Sequence, residues 1–250
     1  MIRRAIEKLI ENDPDAPFTG REAEEVARKI MAGEAAPSQI GAFLALLRAR
    51  GERVEHLVGF VRAMRDHAVE FPRPAGLTRV MDTCGTGGDM AGTFNISTAS
   101  ALIVAAAGVT VAKHGNRSVS SACGSADVLT ALGVNVAPEP EVSARALRET
   151  GFCFLFAPRY HPAMKHAAQP RREIGIRTLF NLSGPLSNPA RPTHQVIGVP
   201  RPELLTLVAE ALAALGITRA LIVHGSDGLD EITHSTVTTA IEIHPDGRLE

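Results

Sequence analysis

Tryptophan is absent from the 250-residue chain, tyrosine occurs once, and aromatic side chains make up only 4% of it. In their place stand 22 glycines and many alanines. Small residues let helices pack close to a sheet and let backbone approach a ligand, which favours an α/β protein over a β-sandwich. Cysteine is scarce as well. Cys84, Cys123 and Cys153 are odd in number and lack metal-ligand spacing, so a disulfide scaffold is excluded and a reducing, cytoplasmic compartment is expected. Neither sign of charge dominates: 26 Lys and Arg stand against 27 Asp and Glu, a formal net charge of −1. With no global basic field no nucleic-acid partner is expected, and any polyanion site must be local. The most apolar stretch, 99–112, is too short and too close to Lys113 to cross a bilayer, so no membrane partner is expected either. The start, MIRRAIEKLIEN, is amphipathic and soon acidic, unlike a signal peptide.

What remains is ordinary globular composition in two textures. Residues 1–72 read as four helices forming a helical domain. Ile2, Ile6, Leu9 and Ile10 keep helical spacing. Thr19 caps a second helix, with Glu22 as its capping-box partner and Gly33 ending it. Ser38 is expected to cap a third, and a fourth runs from Val54 to Val69. A linker rich in proline follows, at Phe71 to Gly76. Residues 73–250 then alternate short apolar runs with helical ones. Strands are expected at 79–82, 109–112, 134–136, 152–156, 195–199 and 220–223, with helices between them. Such alternation implies a mainly parallel sheet with ligand sites at the carboxyl ends of its strands.

The loops at those ends carry the chemistry. Asp82-Thr-Cys-Gly-Thr-Gly-Gly-Asp89 places three glycines in four positions after a strand. Glycines there allow positive φ and turn backbone N–H groups toward an anion, although the pattern is neither the dinucleotide fingerprint nor the P-loop. Thr93-Phe-Asn-Ile-Ser-Thr98 stands at a helix N-terminus, where phosphate binds readily. Capping by Asn95 would account for one of its polar residues, not for Ser97 and Thr98 as well. Lys113-His-Gly-Asn-Arg-Ser-Val-Ser-Ser121 offers two cations, an imidazole and several hydroxyls directly after a buried-type strand. Adjacent carboxylates at Asp230 and Glu231 suit Mg²⁺ better than acid–base catalysis.

Together Gly85-Thr-Gly-Gly-Asp89, Asn95-Ile-Ser-Thr98, Lys113-His-Gly-Asn-Arg-Ser118 and Arg177-Thr-Leu-Phe-Asn-Leu-Ser-Gly-Pro-Leu-Ser-Asn-Pro189 closely resemble the anthranilate phosphoribosyltransferase family, in order and over nearly the whole chain. The resemblance implies a small helical domain, a larger α/β domain, an active site at their hinge, and a homodimer formed through the helices. It implies that the 160–190 segment packs near the helical domain. It also implies transfer of phosphoribose from phosphoribosyl pyrophosphate to the amine of anthranilate, in tryptophan biosynthesis. Carried over residue by residue, Gly85, Gly88, Asp89, Thr93, Asn95, Ile96, Ser97 and Thr98 correspond to diphosphate-side contacts. Lys113, His114, Gly115, Asn116, Arg117, Ser118, Val119, Ser120, Ser121 and Ser125 correspond to further donor contacts. Ser97, Asp230 and Glu231 correspond to Mg²⁺ ligands, and Gly85, His114, Asn116, Arg171 and Pro185 to the anthranilate pocket, with Arg172 as the alternative to Arg171.

No acid–base pair or nucleophile is implied; Lys113 would act electrostatically. Two other readings compete: a pyrimidine nucleoside phosphorylase, which shares the fold and a Lys-His-Gly loop, and a nucleic-acid-binding paralogue without transferase activity. Transfer to another aromatic amine is a third possibility. Members of the resembled family continue well past the Asp-Glu loop, so the α/β domain is expected to lack its C-terminal part.

Overall fold

A computed structural model describes residues 1–89, 91–118 and 123–250. The chain forms two compact units: Met1–Ala68 with His161–Ser187, and Val69–Tyr160 with Asn188–Glu250.

The first unit is helical. It contains α1 (Ile2–Glu11), α2 (Gly20–Met31), α3 (Pro37–Arg50), α4 (Val54–Asp66), α9 (Lys165–Ile174) and α10 (Leu179–Leu186). The second helix starts where its sequence says. Thr19 Oγ1 accepts from Glu22 N at 3.3 Å, and the Glu22 carboxylate accepts from Thr19 N at 3.0 Å. Both bonds occupy donors that a helix start otherwise leaves unpaired. The third helix corrects its expected cap. It begins at Pro37, so Ser38 already lies inside it, and Gln39 Oε1 accepts from Ala36 N at 3.1 Å. Proline at the first helical position has no N–H to satisfy and a φ already suited to the helix. Rings thread the unit: Phe18 lies 5.7 Å from Phe43, Phe43 6.1 Å from Phe60, and Phe60 5.2 Å from Phe180, between centroids. Four of the chain's nine phenylalanines thus form one apolar line.

The second unit is built on a six-stranded sheet of order β3-β2-β1-β4-β5-β6. Its strands are β1 (Met81–Asp82), β2 (Val111–Gly115), β3 (Phe152–Phe156), β4 (His194–Gly198), β5 (Arg219–Gly225) and β6 (Thr238–Ile243). The first five are parallel, and β6 runs antiparallel to β5. Helices α5 (Ile96–Ala106), α6 (Ser125–Ala131), α7 (Pro140–Thr150), α8 (Ala157–Tyr160) and α11 (Leu204–Ala214) complete it. Alternation along β3 sends Cys153 and Leu155 into one buried cluster with Ala112 and Leu147, and Phe154 into another with Leu129 and Val136. Both faces of the sheet are therefore covered, as parallel sheets require.

Three expectations are corrected here. Val134 to Val136 form no strand; Val136 enters the core from the connection between α6 and α7. Strand β2 begins two residues later than expected and continues through Gly115, so Lys113 and His114 belong to it. Strand β6, which no apolar run announced, closes one edge of the sheet. The order places β1 centrally, with its two neighbours reached by opposite windings. The carboxyl end of such a strand is where open α/β sheets bind ligands.

Candidate functional site

Four strand ends of the second unit supply the site. β1 feeds the glycine loop, β2 carries Lys113 and His114 into the next loop, β4 ends at Gly198, and β5 leads to Asp230 and Glu231. In the glycine loop Gly87 and Gly88 adopt φ of 66° and 98°, the left-handed region a side chain would resist. Thr86 N donates to Gly198 O at 2.9 Å, tying the loop to β4. Gly198 also fits under the acidic loop: a Cβ there would come within 1.4 Å of Asp230 O. Only glycine at that position lets the acidic loop and the glycine loop close on the same strand end. Sequence reasoning gave Gly198 no role.

Lys113 is the central cation, and it is 1% exposed. Its Nζ donates to Ser97 Oγ at 3.2 Å, and to Thr83 O and Thr83 Oγ1 at 3.4 Å each. Thr83 Oγ1 in turn donates to Ser97 O at 2.8 Å, fixing the first turn of α5 beneath the glycine loop. Asn95 is the N-cap residue of α5 but makes no side-chain cap bond. Its Nδ2 donates instead to Cys123 O at 3.1 Å, across to the loop after β2. Capping therefore accounts for none of the three polar residues at this helix start. Ile96 and Ser97 open the helix, and Thr98 Oγ1 is buried without a hydrogen-bond partner among the described residues. Thr93 is exposed ahead of it, and Asp89 accepts from Ala91 N at 3.3 Å.

Glu231 and Asp230 face this cluster electrostatically. Burial, and then the neighbouring Asp230 carboxylate, push Glu231 up to about 7, against the pull of Lys113 and a hydrogen bond from Ser97 N. Gly85 lies against the same group, since a Cβ there would stand 3.6 Å from Asp230 Oδ2. Two half-desolvated carboxylates beside a hydroxyl form an oxygen-only donor set under mutual repulsion, which a hard divalent cation relieves. Among the described residues no three His, Cys, Asp or Glu side chains are grouped to hold a metal by themselves.

The loop after β2 is braced by a residue the sequence did not single out. Asp127 in α6 accepts from Ser118 N at 3.1 Å and Gly124 N at 2.9 Å, and pairs with Arg117 at 2.7 Å. These bonds, the two backbone donors first, hold its carboxyl below the usual range. Arg117 is thus committed within the loop, while Asn116 is exposed and Ser125 opens α6. Val119, Ser120 and Ser121 lie outside the described residues.

The expected acceptor residues divide between the units. Gly85, His114 and Asn116 belong to the second, Arg171 and Pro185 to the first. Arg171 is sheltered, its guanidinium 5.2 Å from the centre of the Phe180 ring, while Arg172 is exposed. Burial, and then the like charge of Arg177, lower the Arg171 pKa.

Comparison with known proteins decides the family. Residues 3–68 match the helical bundle domain of a glycosyl transferase family, and residues 77–250 match its α/β domain. Anthranilate phosphoribosyltransferase of Brevibacillus brevis is 58% identical over 227 residues, covering 91% of this chain and 66% of that protein. The Geobacter enzyme of the same name is 49% identical, with 99% of this chain and 73% of that protein covered. The chain belongs to the anthranilate phosphoribosyltransferase family. Among solved structures of the family, that from Thermus thermophilus superposes with a TM-score of 0.88 at 44% identity, over 98% of this chain and 72% of that one. The Saccharomyces cerevisiae enzyme, in complex with phosphoribosyl pyrophosphate and Mg, gives 0.88 at 25% identity over 100% and 71%. The chain spans about two thirds of the length of the curated relatives it matches, 66% for the B. brevis protein. Among the described residues no helix is long and apolar enough to cross a membrane.

Proposed function

We propose that this chain binds phosphoribosyl pyrophosphate with Mg²⁺ and transfers its phosphoribosyl group to the amine of anthranilate. The observation that carries the proposal is the buried Lys113 ammonium, held at Ser97 and Thr83 beneath a loop whose glycines take positive φ. A fixed cation and turned-up N–H groups match a diphosphate better than any neutral ligand. The S. cerevisiae structures, one with phosphoribosyl pyrophosphate and Mg and another with 4-fluoroanthranilate, support the same ligands here. The relatives named above give no support to the nucleoside phosphorylase or nucleic-acid readings.

In this reading Gly85, Gly88, Asp89, Thr93, Asn95, Ile96, Ser97 and Thr98 cradle the diphosphate side. Lys113 to Ser121 and Ser125 hold the rest of the donor. Ser97, Asp230 and Glu231 would hold Mg²⁺. When bound, that ion supplies charge neutralisation to the departing pyrophosphate. Lys113 adds its charge to the same oxygens as the bond to the ribose carbon lengthens. An aniline nitrogen is already neutral at pH 7, so no general base is required. Cys84 is no ready nucleophile, since burial, and then Asp82, push its thiol up to about 12. Arg171 would pair with the anthranilate carboxylate, and Gly85, His114, Asn116 and Pro185 would line the ring. Catalysis then rests on positioning and fixed charge.

A homodimer through the helical unit belongs to the same proposal, on the family resemblance alone. A cytoplasmic location belongs to it too, on cysteine usage. Loss of anthranilate fluorescence in the presence of phosphoribosyl pyrophosphate and Mg²⁺ tests the activity. Steady consumption is expected, and none at any Mg²⁺ concentration would contradict it.

A further inference from the structure

Asp82 has no part in the chemistry above, yet it is a fully buried carboxylate at the heart of the site, 0% exposed at the last residue of β1. Removing a carboxylate from water costs several kcal/mol unless its oxygens are well bonded and its charge answered. Both conditions are met by one local arrangement. Asp82 Oδ1 accepts from His114 N at 3.2 Å, and Oδ2 accepts from Asn188 Nδ2 at 2.8 Å. The same Asn188 Nδ2 donates to Ala112 O at 2.8 Å, and Asn188 Oδ1 accepts from Ala190 N at 2.8 Å.

The bonded backbone groups explain the arrangement. β1 pairs with β2 only through Met81 and Val111. One residue further on, the strands no longer pair through their backbones. Ala112 O is met by the Asn188 side chain and His114 N by the Asp82 side chain. Lys113 lies between these two anchored residues. The partners of Asp82, namely His114 N, Asn188 Nδ2 and the Thr83 backbone N–H, are all donors, and with His114 on Oδ1 and Asn188 on Oδ2 both of its oxygens must accept. A carboxylate does this, and an amide, with one oxygen and one NH₂, does not. Burial raises the Asp82 carboxyl to about 6, with Lys113 the leading opposing influence. Its charge is coupled to the buried Lys113 ammonium that the proposed transfer uses.

We propose that Asp82 and Asn188 are a positioning pair for donor binding: they anchor the end of β2 on either side of Lys113 and provide the buried counter-charge to its ammonium. Neither touches substrate. The pair deepens the phosphoribosyl-transfer reading and rests on it. It also gives a task to the Ser-Asn-Pro end of a family segment that carried no chemistry in the sequence.

Steady-state kinetics on the whole chain test the pair, with Asp82→Asn and Asn188→Ala as variants and thermal melting alongside. Asp82→Asn should raise the KM for phosphoribosyl pyrophosphate by about ten-fold or more, the scale of one lost charge-assisted interaction, with the KM for anthranilate within about two-fold. Asn188→Ala should move the same constant in the same direction by a smaller factor. Should Asp82→Asn not fold, Asn188→Ala decides alone. An unchanged donor KM in a folded variant overturns the proposal. So does an equal rise of both KM values accompanied by a large fall in melting temperature, which marks a merely structural role. Absence of turnover in the wild-type chain is a different result: it removes the transfer reading, and the positioning pair with it.

Discussion

The helical unit and the sheet unit bury different things. In the first, Phe18, Phe43, Phe60 and Phe180 form a continuous line of rings, and the buried polar groups are neutral side chains such as Thr178, Ser183 and Ser187 and the imidazoles of His56 and His161. At the strand ends of the second, the buried set is Asp82, Thr83, Lys113, His114, Asn188, Gln195, His224 and Asp230. Apolar burial stabilises in proportion to area, whereas buried charge costs free energy that specific partners must offset. The difference teaches where stability and function reside: the first unit holds its shape by packing, and the second spends stability to fix charges in place.

The sharpest way to break that contrast is to remove the central charge. Lys113→Ala should lower kcat/KM by about a thousand-fold, the upper range for loss of one preorganised electrostatic group. Steady-state kinetics at saturating Mg²⁺ would show it, and near wild-type values would mean that the buried charges of the sheet unit do not serve transfer. Next in size is a packing change in the other unit. Phe43→Ala should cost roughly 3–5 kcal/mol of stability in urea unfolding. Below the unfolding temperature its donor KM should stay as in the wild type, and a shifted KM would erase the division of labour.

The helical unit buries two imidazoles, His56 and His161, and burial lowers both. Burial pushes His161 down to about 4, against hydrogen bonds that its ring donates to the Ser187 and Met64 backbone. A depressed folded pKa gives stability that is fully present above the unfolded value of about 6.5 and lost as pH falls toward the folded one. Stability should therefore decline between about pH 6.5 and 4 by roughly 3 kcal/mol at most. Urea midpoints across that window would show the slope, and His161→Gln should reduce it, leaving the smaller share of His56. The smallest effect expected is on the acceptor. Arg171→Ala should raise the anthranilate KM by about ten-fold, with the donor KM unchanged, whereas Arg172→Ala should do neither. A reversed pair of results would move the acceptor contact to the exposed arginine.

Local signals in the sequence were legible where local physics decides. Helical spacing, the Thr19–Glu22 box and strand–helix alternation each depend on residues a few positions apart, and all reappear in the structure. What sequence reasoning missed depends on distant partners. Lys113, His114 and Gly115 read as a polar loop, yet they continue β2. The partners of Lys113 stand 30 and 16 residues away, at Thr83 and Ser97. Asn188 meets Asp82 across 106 residues. Val134 and Val136 looked like strand residues because an apolar residue entering a core from a turn has the same local appearance. Strand β6 was overlooked because its polar and apolar residues mix at a sheet edge, where one side stays exposed. The roles of Gly198 and Asp127 follow from close approach and loop bracing, neither of which a single sequence displays.

Calorimetric titration of the chain with phosphoribosyl pyrophosphate tests the central claim most directly. Wild type and Lys113→Ala would be compared, each with and without Mg²⁺. Saturable binding that needs Mg²⁺ in the wild type and weakens by at least about ten-fold in the variant is the result expected if fixed charge at the strand ends holds the donor. Equal affinity in the two proteins, or no binding by the folded wild type, would contradict it.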